Sequence, residues 1–213
     1  MTGQRHEFER DLEAIETKVI ELFALLAEDL PKATQALLTG SDEVLRVLAE
    51  REQVTDALYL EIERLVNREI ALQAPVASDL RFLLSVLRIV PEIERSHDLV
   101  MHVASEASRL LGEDLTPRAQ GMLDRLGHVV ADMWRAAADS WYQRDRSAVL
   151  ALTERAEEVH DLHASLVGEL AAGHMALPVT MEMTLVAHDF QRLGAHAVNI
   201  ARRVAYLAGP VSS

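Results

Sequence analysis

The chain has 213 residues, of which 49% are hydrophobic and none is cysteine. That composition supports a packed core and excludes disulfides and thiolate metal sites. The formal charge of −13 argues against nucleic acid as a partner, because phosphates need clustered Lys and Arg, and it suits cations or a basic surface.

The longest stretch free of Asp, Glu, Lys and Arg, Leu170–Met181, is too short to cross a bilayer. MTGQRHEFERDLE has no apolar signal-peptide core, so a soluble chain that is not membrane-embedded is expected. Almost every window has helical period. A first helix is predicted over Arg5–Leu38, with Phe8, Leu12, Ile15, Val19, Leu22 and Leu26 on one side. Pro31 should kink or break it near Asp29, since proline removes a backbone donor and crowds the preceding turn. Gly40-Ser41-Asp42 reads as a stop followed by a cap, and a second helix runs to Leu72.

Ala74-Pro75 opens a third helix that reaches Leu110 and ends at Gly112, with another bend expected at Pro91. Thr116-Pro117 is a cap and a first-turn proline for a fourth, which carries Leu123, Leu126, Val130 and Trp134 to Tyr142. Asp145 can cap a fifth over Ser147–Ala171. The loop Gly173–Pro178 leads to a sixth that ends at Gly209-Pro210. The fold class is all-α: two tandem antiparallel three-helix bundles, residues 1–112 and 113–213.

The two halves resemble each other. Leu48-Ala49-Glu50-Arg51 parallels Leu152-Thr153-Glu154-Arg155, and Glu94-Arg95 parallels Gln191-Arg192. Within the first half, Leu80, Leu83, Leu87, Val90, Glu94, Asp98 and Met101 share one helical face. Leu45, Leu48, Glu52, Asp56, Tyr59 and Val66 share another. Both stripes are expected to face the core, and each carries Glu-x-x-x-Asp. If the helices are antiparallel neighbours, four carboxylates converge and repel unless cations or protons neutralise them. Carboxylate oxygens favour Mg²⁺, Mn²⁺ or Fe and also accept Zn²⁺. The competing reading is a set of solvated acids, or acids bridged by Arg51 and Arg95; a metal site is favoured over that network.

The second half lacks the acids. Its matching positions are Ala156, His160, Gln191 and Ala195, while Glu157 and Asp161 fall about 100° round the helix toward solvent. His160, His163 and His188 are candidates for a sparse nitrogen site, against the commoner case of histidines satisfied by hydrogen bonds.

These residues resemble the PhoU family of phosphate-signalling proteins. The likeness is carried by Gln73-Ala74-Pro75-Val76-Ala77-x-Asp79-Leu80-Arg81, Glu94-Arg95-x-x-Asp98 and Arg192-x-Gly194-x-His196-Ala197-x-Asn199-Ile200-Ala201, and more weakly by Arg5–Phe8 and Thr34–Gly40. The resemblance implies tandem three-helix bundles whose acidic motifs bind metal clusters, often iron or zinc. Carried over by position, the ligands are Glu52, Asp56, Glu94 and Asp98. It also implies a cytoplasmic, often dimeric, non-catalytic negative regulator of phosphate uptake. Such a regulator links a phosphate ABC transporter ATPase to a sensor histidine kinase. The alternative is a ferritin-like di-iron carboxylate oxidase, which needs Glu-x-x-His on two helices; Glu94-x-x-His97 and Glu157-x-x-His160 meet that spacing.

Overall fold

The structure, a computed structural model, describes residues 2–106 and 115–208. It contains α1 (Thr2–Thr39), α2 (Asp42–Gln73), α3 (Ala77–Ser105), α4 (Pro117–Gln143), α5 (Ala148–Ala171) and α6 (Leu177–Leu207). The predicted ends at Gly112 and at Gly209-Pro210 lie outside the described residues. α1, α2 and α3 pack on one another as one antiparallel bundle, and α4, α5 and α6 form a second. α1 also packs on α4, and α3 on α6, so one continuous core runs through both bundles.

Several predicted punctuation marks act as expected. Gly40 adopts φ 67° and its N–H bonds to Ala36 O at 2.7 Å, closing α1. The Ser41 side chain accepts from Val44 N at 3.5 Å, and the Thr116 hydroxyl accepts from Ala119 N at 3.1 Å. Asp145 differs: its Oδ1 accepts from Ser147 N at 2.8 Å in the turn before α5, and Ser147, not Asp145, takes the N-cap position.

Pro31 does not break α1, and α3 likewise continues through Pro91, where a bend was expected. Pro31 faces outward, and Ala27, whose carbonyl loses its donor, is only partly buried, so water can replace the missing bond. One feature is invisible in the sequence. Ala74 and Ala77, flanking Pro75-Val76, have φ of 44° and 50°, left-handed geometry that costs an alanine about 1–2 kcal/mol each.

The bundles meet along two helix pairs. Between α1 and α4, Phe23 packs against Trp134, and a Cβ on Gly127 would lie 2.4 Å from Thr34 Oγ1. Only glycine permits that approach. Trp134 Nε1 donates to Leu193 O at 3.1 Å, tying α4 to α6. Phe82 stacks on Trp141, and Arg144 covers both rings while pairing with Glu16 of α1.

The α3–α6 pair is polar at intervals: Asn199 Nδ2 donates to Glu92 Oε1 at 2.9 Å. The Ser96 hydroxyl lies 2.7 Å from His196 Nδ1, and His102 Nδ1 lies 2.5 Å from Asp189 Oδ2.

The first bundle has a charged pin at its centre. Asp29 of α1 is 0% exposed. Arg51 Nε of α2 stands 2.8 Å from its Oδ1, His97 Nε2 of α3 stands 3.4 Å from its Oδ2, and Lys32 Nζ is 3.7 Å away. α1 contributes Asp29 and Lys32, α2 contributes Arg51 and α3 contributes His97.

Three stability outcomes are expected from these contacts. Gly127→Ala should cost about 1–3 kcal/mol by overpacking against Thr34, partly recovered in Gly127→Ala/Thr34→Ala. Gly194→Ala, whose Cβ would meet Met133 and Val159 at 3.6 Å, should stay within about 0.5 kcal/mol of the parent. Urea denaturation midpoints check both. Arg51→Ala should cost about 3 kcal/mol by stranding the Asp29 carboxylate, whereas Asp29→Leu/Arg51→Met should recover much of that loss; thermal unfolding of the two variants tests the ordering.

Candidate metal centre on the α2–α3 edge

The four acids singled out by sequence lie on one seam, but at its outer rim rather than in the core. Glu52 and Asp56 stand one turn apart on α2, and Glu94 and Asp98 one turn apart on α3. Glu52 and Glu94 are half-buried, while Asp56 and Asp98 are exposed. The expectation of a core-facing stripe is therefore corrected. α3 packs on α1, α2 and α6, so its buried face is broad and centred on Val86, Ile89, Ile93 and Val100. Leu80, Leu87 and Met101 flank that face, half-buried, and the acids continue their line. On α2 the buried face is Leu48, Thr55, Leu58, Ile62 and Val66, and Glu52 and Asp56 again sit beside it.

The two acidic pairs nevertheless feel each other. The Glu94 carboxyl is pushed above the ordinary carboxylate range, first by burial, then by the negative charge of Asp98; Asp56 across the seam adds to this, against Arg95 and His97. The Tyr59 hydroxyl is raised as well, by burial and then by Glu63 and Glu94. Among the described residues, none of Glu52, Asp56, Glu94 and Asp98 makes a hydrogen bond or ion pair.

The arginine-bridged reading fails on partners. Arg51 is held by Asp29 and by Glu28, whose Oε2 accepts from Nη2 at 2.9 Å. Arg95 Nη2 donates to Glu92 Oε2 at 2.5 Å. Neither guanidinium reaches the acids beside it in sequence.

In donor type, unpaired charge and facing placement these carboxylates fit a hard or borderline cation. Among the described residues no three His, Asp or Glu side chains already stand at ligand distances. The carboxylates would have to swing together to hold an ion. The nearest cavity on the seam, beside Tyr59 and Pro91, measures about 10 Å³, room for a water and not for an organic substrate.

The Glu-x-x-His spacing does not build a shared site. His97 is buried and paired with Asp29, so although its charge reaches Glu94 its ring is engaged in the core and not at an exposed centre. On α5, Glu157 and Asp161 are exposed as expected, and His160 bonds to Gln191 of α6 at 3.1 Å. Ala156 and Gln191 are half-buried and Ala195 exposed, so the second-half positions also occupy an outer seam, here between α5 and α6.

The PhoU domain family matches residues 19–107 and again 123–204, once in each bundle. The chain belongs to the PhoU family. Similar proteins include the phosphate-specific transport system accessory protein PhoU homolog of Zymomonas mobilis, 28% identical over 94% of this chain and 86% of that relative. PhoU homolog 2 of Mycobacterium tuberculosis is 29% identical over 96% of this chain and 97% of its own length. Among solved structures, PhoU from Pseudomonas aeruginosa superposes with a TM-score of 0.87 at 25% identity, covering 94% of this chain and 98% of that one. PhoU from Streptococcus pneumoniae, a phosphate transport system regulatory protein, gives 0.86 at 21% identity, covering 97% and 99%.

Sequence reasoning missed the Asp29–Arg51–His97 pin and the polar α3–α6 joint of this PhoU-family fold. A signal for the pin was present: Asp132 and Arg135 stand to Arg155 as Asp29 and Lys32 stand to Arg51.

A raised carboxyl value in the folded state means that ionised Glu94 works against folding. Below the ordinary carboxyl range that penalty is absent, and it develops as pH rises through the raised value. Glu94→Gln should therefore raise the thermal midpoint of metal-free protein at neutral pH by about 1–2 °C. The difference should vanish below the ordinary carboxyl range, and calorimetry at both pH values measures it.

Proposed function

We propose that this protein is a phosphate-transport accessory protein acting as a cytoplasmic, non-catalytic negative regulator of phosphate uptake and of starvation signalling. In this reading it is an adaptor between a phosphate ABC transporter ATPase and a sensor histidine kinase, and it works as a homodimer. The two halves, 1–112 and 113–213, act as paired units on one rigid core. Support for the broad role comes from family membership and from relatives named as phosphate-transport accessory proteins. No helix among the described residues is long and apolar enough to cross a membrane, which agrees with a peripheral role.

The cofactor reading is supported by one observation: the Glu94 carboxyl feels Asp98 and, across the seam, Asp56, while the neighbouring arginines are engaged elsewhere. Glu52, Asp56, Glu94 and Asp98 would hold a divalent or trivalent ion, iron or zinc foremost and magnesium or manganese next. When bound, it would supply positive charge that cancels their repulsion. The protein's own residues do the rest, since the Asp29 pin fixes α2 against α3 and so fixes the spacing of the two acidic pairs.

The test is affinity capture from phosphate-replete cells, with elemental analysis of the same eluate. The wild-type protein should bring down the transporter ATPase and elute with bound metal. Glu94→Ala/Asp98→Ala should lose most of that metal. Unchanged metal stoichiometry in the variant sinks the ligand assignment, and an eluate without the ATPase sinks the adaptor role.

A further inference from the structure

Although the chain carries a net charge of −13, one cleft on the α3–α6 joint gathers positive charge. Arg88 of α3 and Arg203 of α6 line it, together with Ile89, Glu92, Asn199 and Ile200. The pairs Glu92–Asn199, Ser96–His196 and His102–Asp189 run in antiparallel register, and the same register sets Arg88 against Arg203. Among the described residues neither guanidinium has a carboxylate partner. The acid in the lining, Glu92, is already engaged by Arg95 and by the Asn199 amide.

Two like charges in a partly desolvated cleft repel. Burial, then Arg88, pushes the Arg203 guanidinium below its ordinary value. Arg203 is half-buried and lies over the Tyr206 ring, 4.9 Å from guanidinium carbon to ring centroid, a contact that helps to hold its plane. The helix crossing does not require the arginine pair. Through the repeat that matches Glu94 to Gln191, Glu92 and Asn199 answer to Asp189 and His102, which also pair across the joint. Arg88 and Arg203 answer to Leu185 and Glu106. The same crossing is thus made once with two facing arginines and once without them.

An arginine fork donates paired hydrogen bonds to the oxygens of an anion. Two facing forks, with the second amide hydrogen of Asn199 left over, suit the several oxygens of a tetrahedral anion. The cleft measures about 160 Å³. That is room for such an anion and a few waters, and it falls well below the ~300–1,000 Å³ of sites for drug-sized ligands. The base and ribose of a nucleotide are not accommodated within it. We propose that Arg88, Arg203 and Asn199 form a site for one small tetrahedral oxyanion of the inorganic phosphate class. The site spans the joint between the bundles, so a bound anion ties α3 to α6. It depends on neither the cation edge nor the adaptor role.

A bound metal would hold phosphate by itself, so the test uses full-length protein stripped by chelation. Sodium phosphate is titrated by calorimetry, and thermal midpoints are followed in phosphate and in sodium chloride of equal ionic strength. We expect saturable binding of one phosphate per chain and a midpoint that rises with phosphate beyond the chloride control. Arg88→Gln/Arg203→Gln should weaken phosphate by about tenfold or more and abolish that rise. Arg88→Gln alone alters an exposed side chain, keeps the circular dichroism spectrum of the parent and should weaken phosphate as well. Arg46→Gln, exposed on α2, makes the same change of net charge away from the cleft and should leave phosphate affinity unchanged. Sedimentation with vesicles of phosphatidylglycerol and phosphatidylcholine probes a lipid headgroup as the source of the anion. The proposal is overturned if phosphate acts no more strongly than chloride, or if the arginine variants bind it as tightly as the parent. It is equally overturned if the vesicles are bound and free phosphate is not.

Discussion

The buried carboxylate of Asp29 is the constraint around which the first bundle is arranged. A fully buried charge is tolerated only with partners, and Asp29 draws one from each neighbouring helix: Arg51 from α2 and His97 from α3. That demand fixes more than the angle between helices. It removes Arg51 from the surface, where its neighbours in sequence would have used it to neutralise Glu52 and Asp56. The same happens on α3, where Arg95 is taken by Glu92. Burial raises the Glu92 carboxyl, but hydrogen bonds from Asn199 and Arg95 outweigh it, so the group sits below the ordinary range and stays charged in the α3–α6 joint. Internal polar joints thus use up the cations that the outer edge lacks.

In the second bundle the pin is relaxed. Its counterpart pair, Asp132 and Arg155, is 3.8 Å apart with side chains 51% and 47% exposed, and Asp132 also pairs with Arg135. Exposed pairs of this kind contribute about 0–1 kcal/mol. Gly194 occupies the position that answers to His97, and its surroundings are Met133 and Val159, so the centre of this bundle is apolar. Without a buried charge at that centre Arg155 stays at the surface, and here the outer seam carries imidazole and amide in place of acid. Interior and edge change together between the halves, as expected if the charge of one sets the charge left on the other.

The helices and their pairing into two sets were legible because 3.6-residue periodicity and capping residues are local signals. The placement of the acids on two helices that prove to be neighbours has the same origin. Their depth was not legible, because it depends on how many neighbours each helix has. Periodicity shows a stripe, but only the tertiary arrangement reveals that α3 is covered on three sides and that Glu94 lies at the margin. Arginine partners were misjudged because proximity in sequence made Glu52 look closer to Arg51 than Asp29, which arrives from another helix. The left-handed alanines at 74 and 77 and the Gly127–Thr34 approach likewise depend on contacts or backbone geometry that no spacing rule encodes.

Under the proposed function, an unneutralised edge on an outer seam would couple cation binding to helix spacing. α2 meets the rest of the molecule chiefly through α1 and α3, so the α2–α3 separation is set by apolar packing pulling inward and carboxylate repulsion pushing outward. A cation that binds only when the two helices are close stabilises that closed spacing in proportion to RT ln(1 + [L]/Kd). By reciprocity, a partner that grips α2 or α3 and shifts their separation must change cation affinity by the same factor. The coupling needs no long-range pathway, since the acids, the seam and the exposed faces of both helices belong to one element pair.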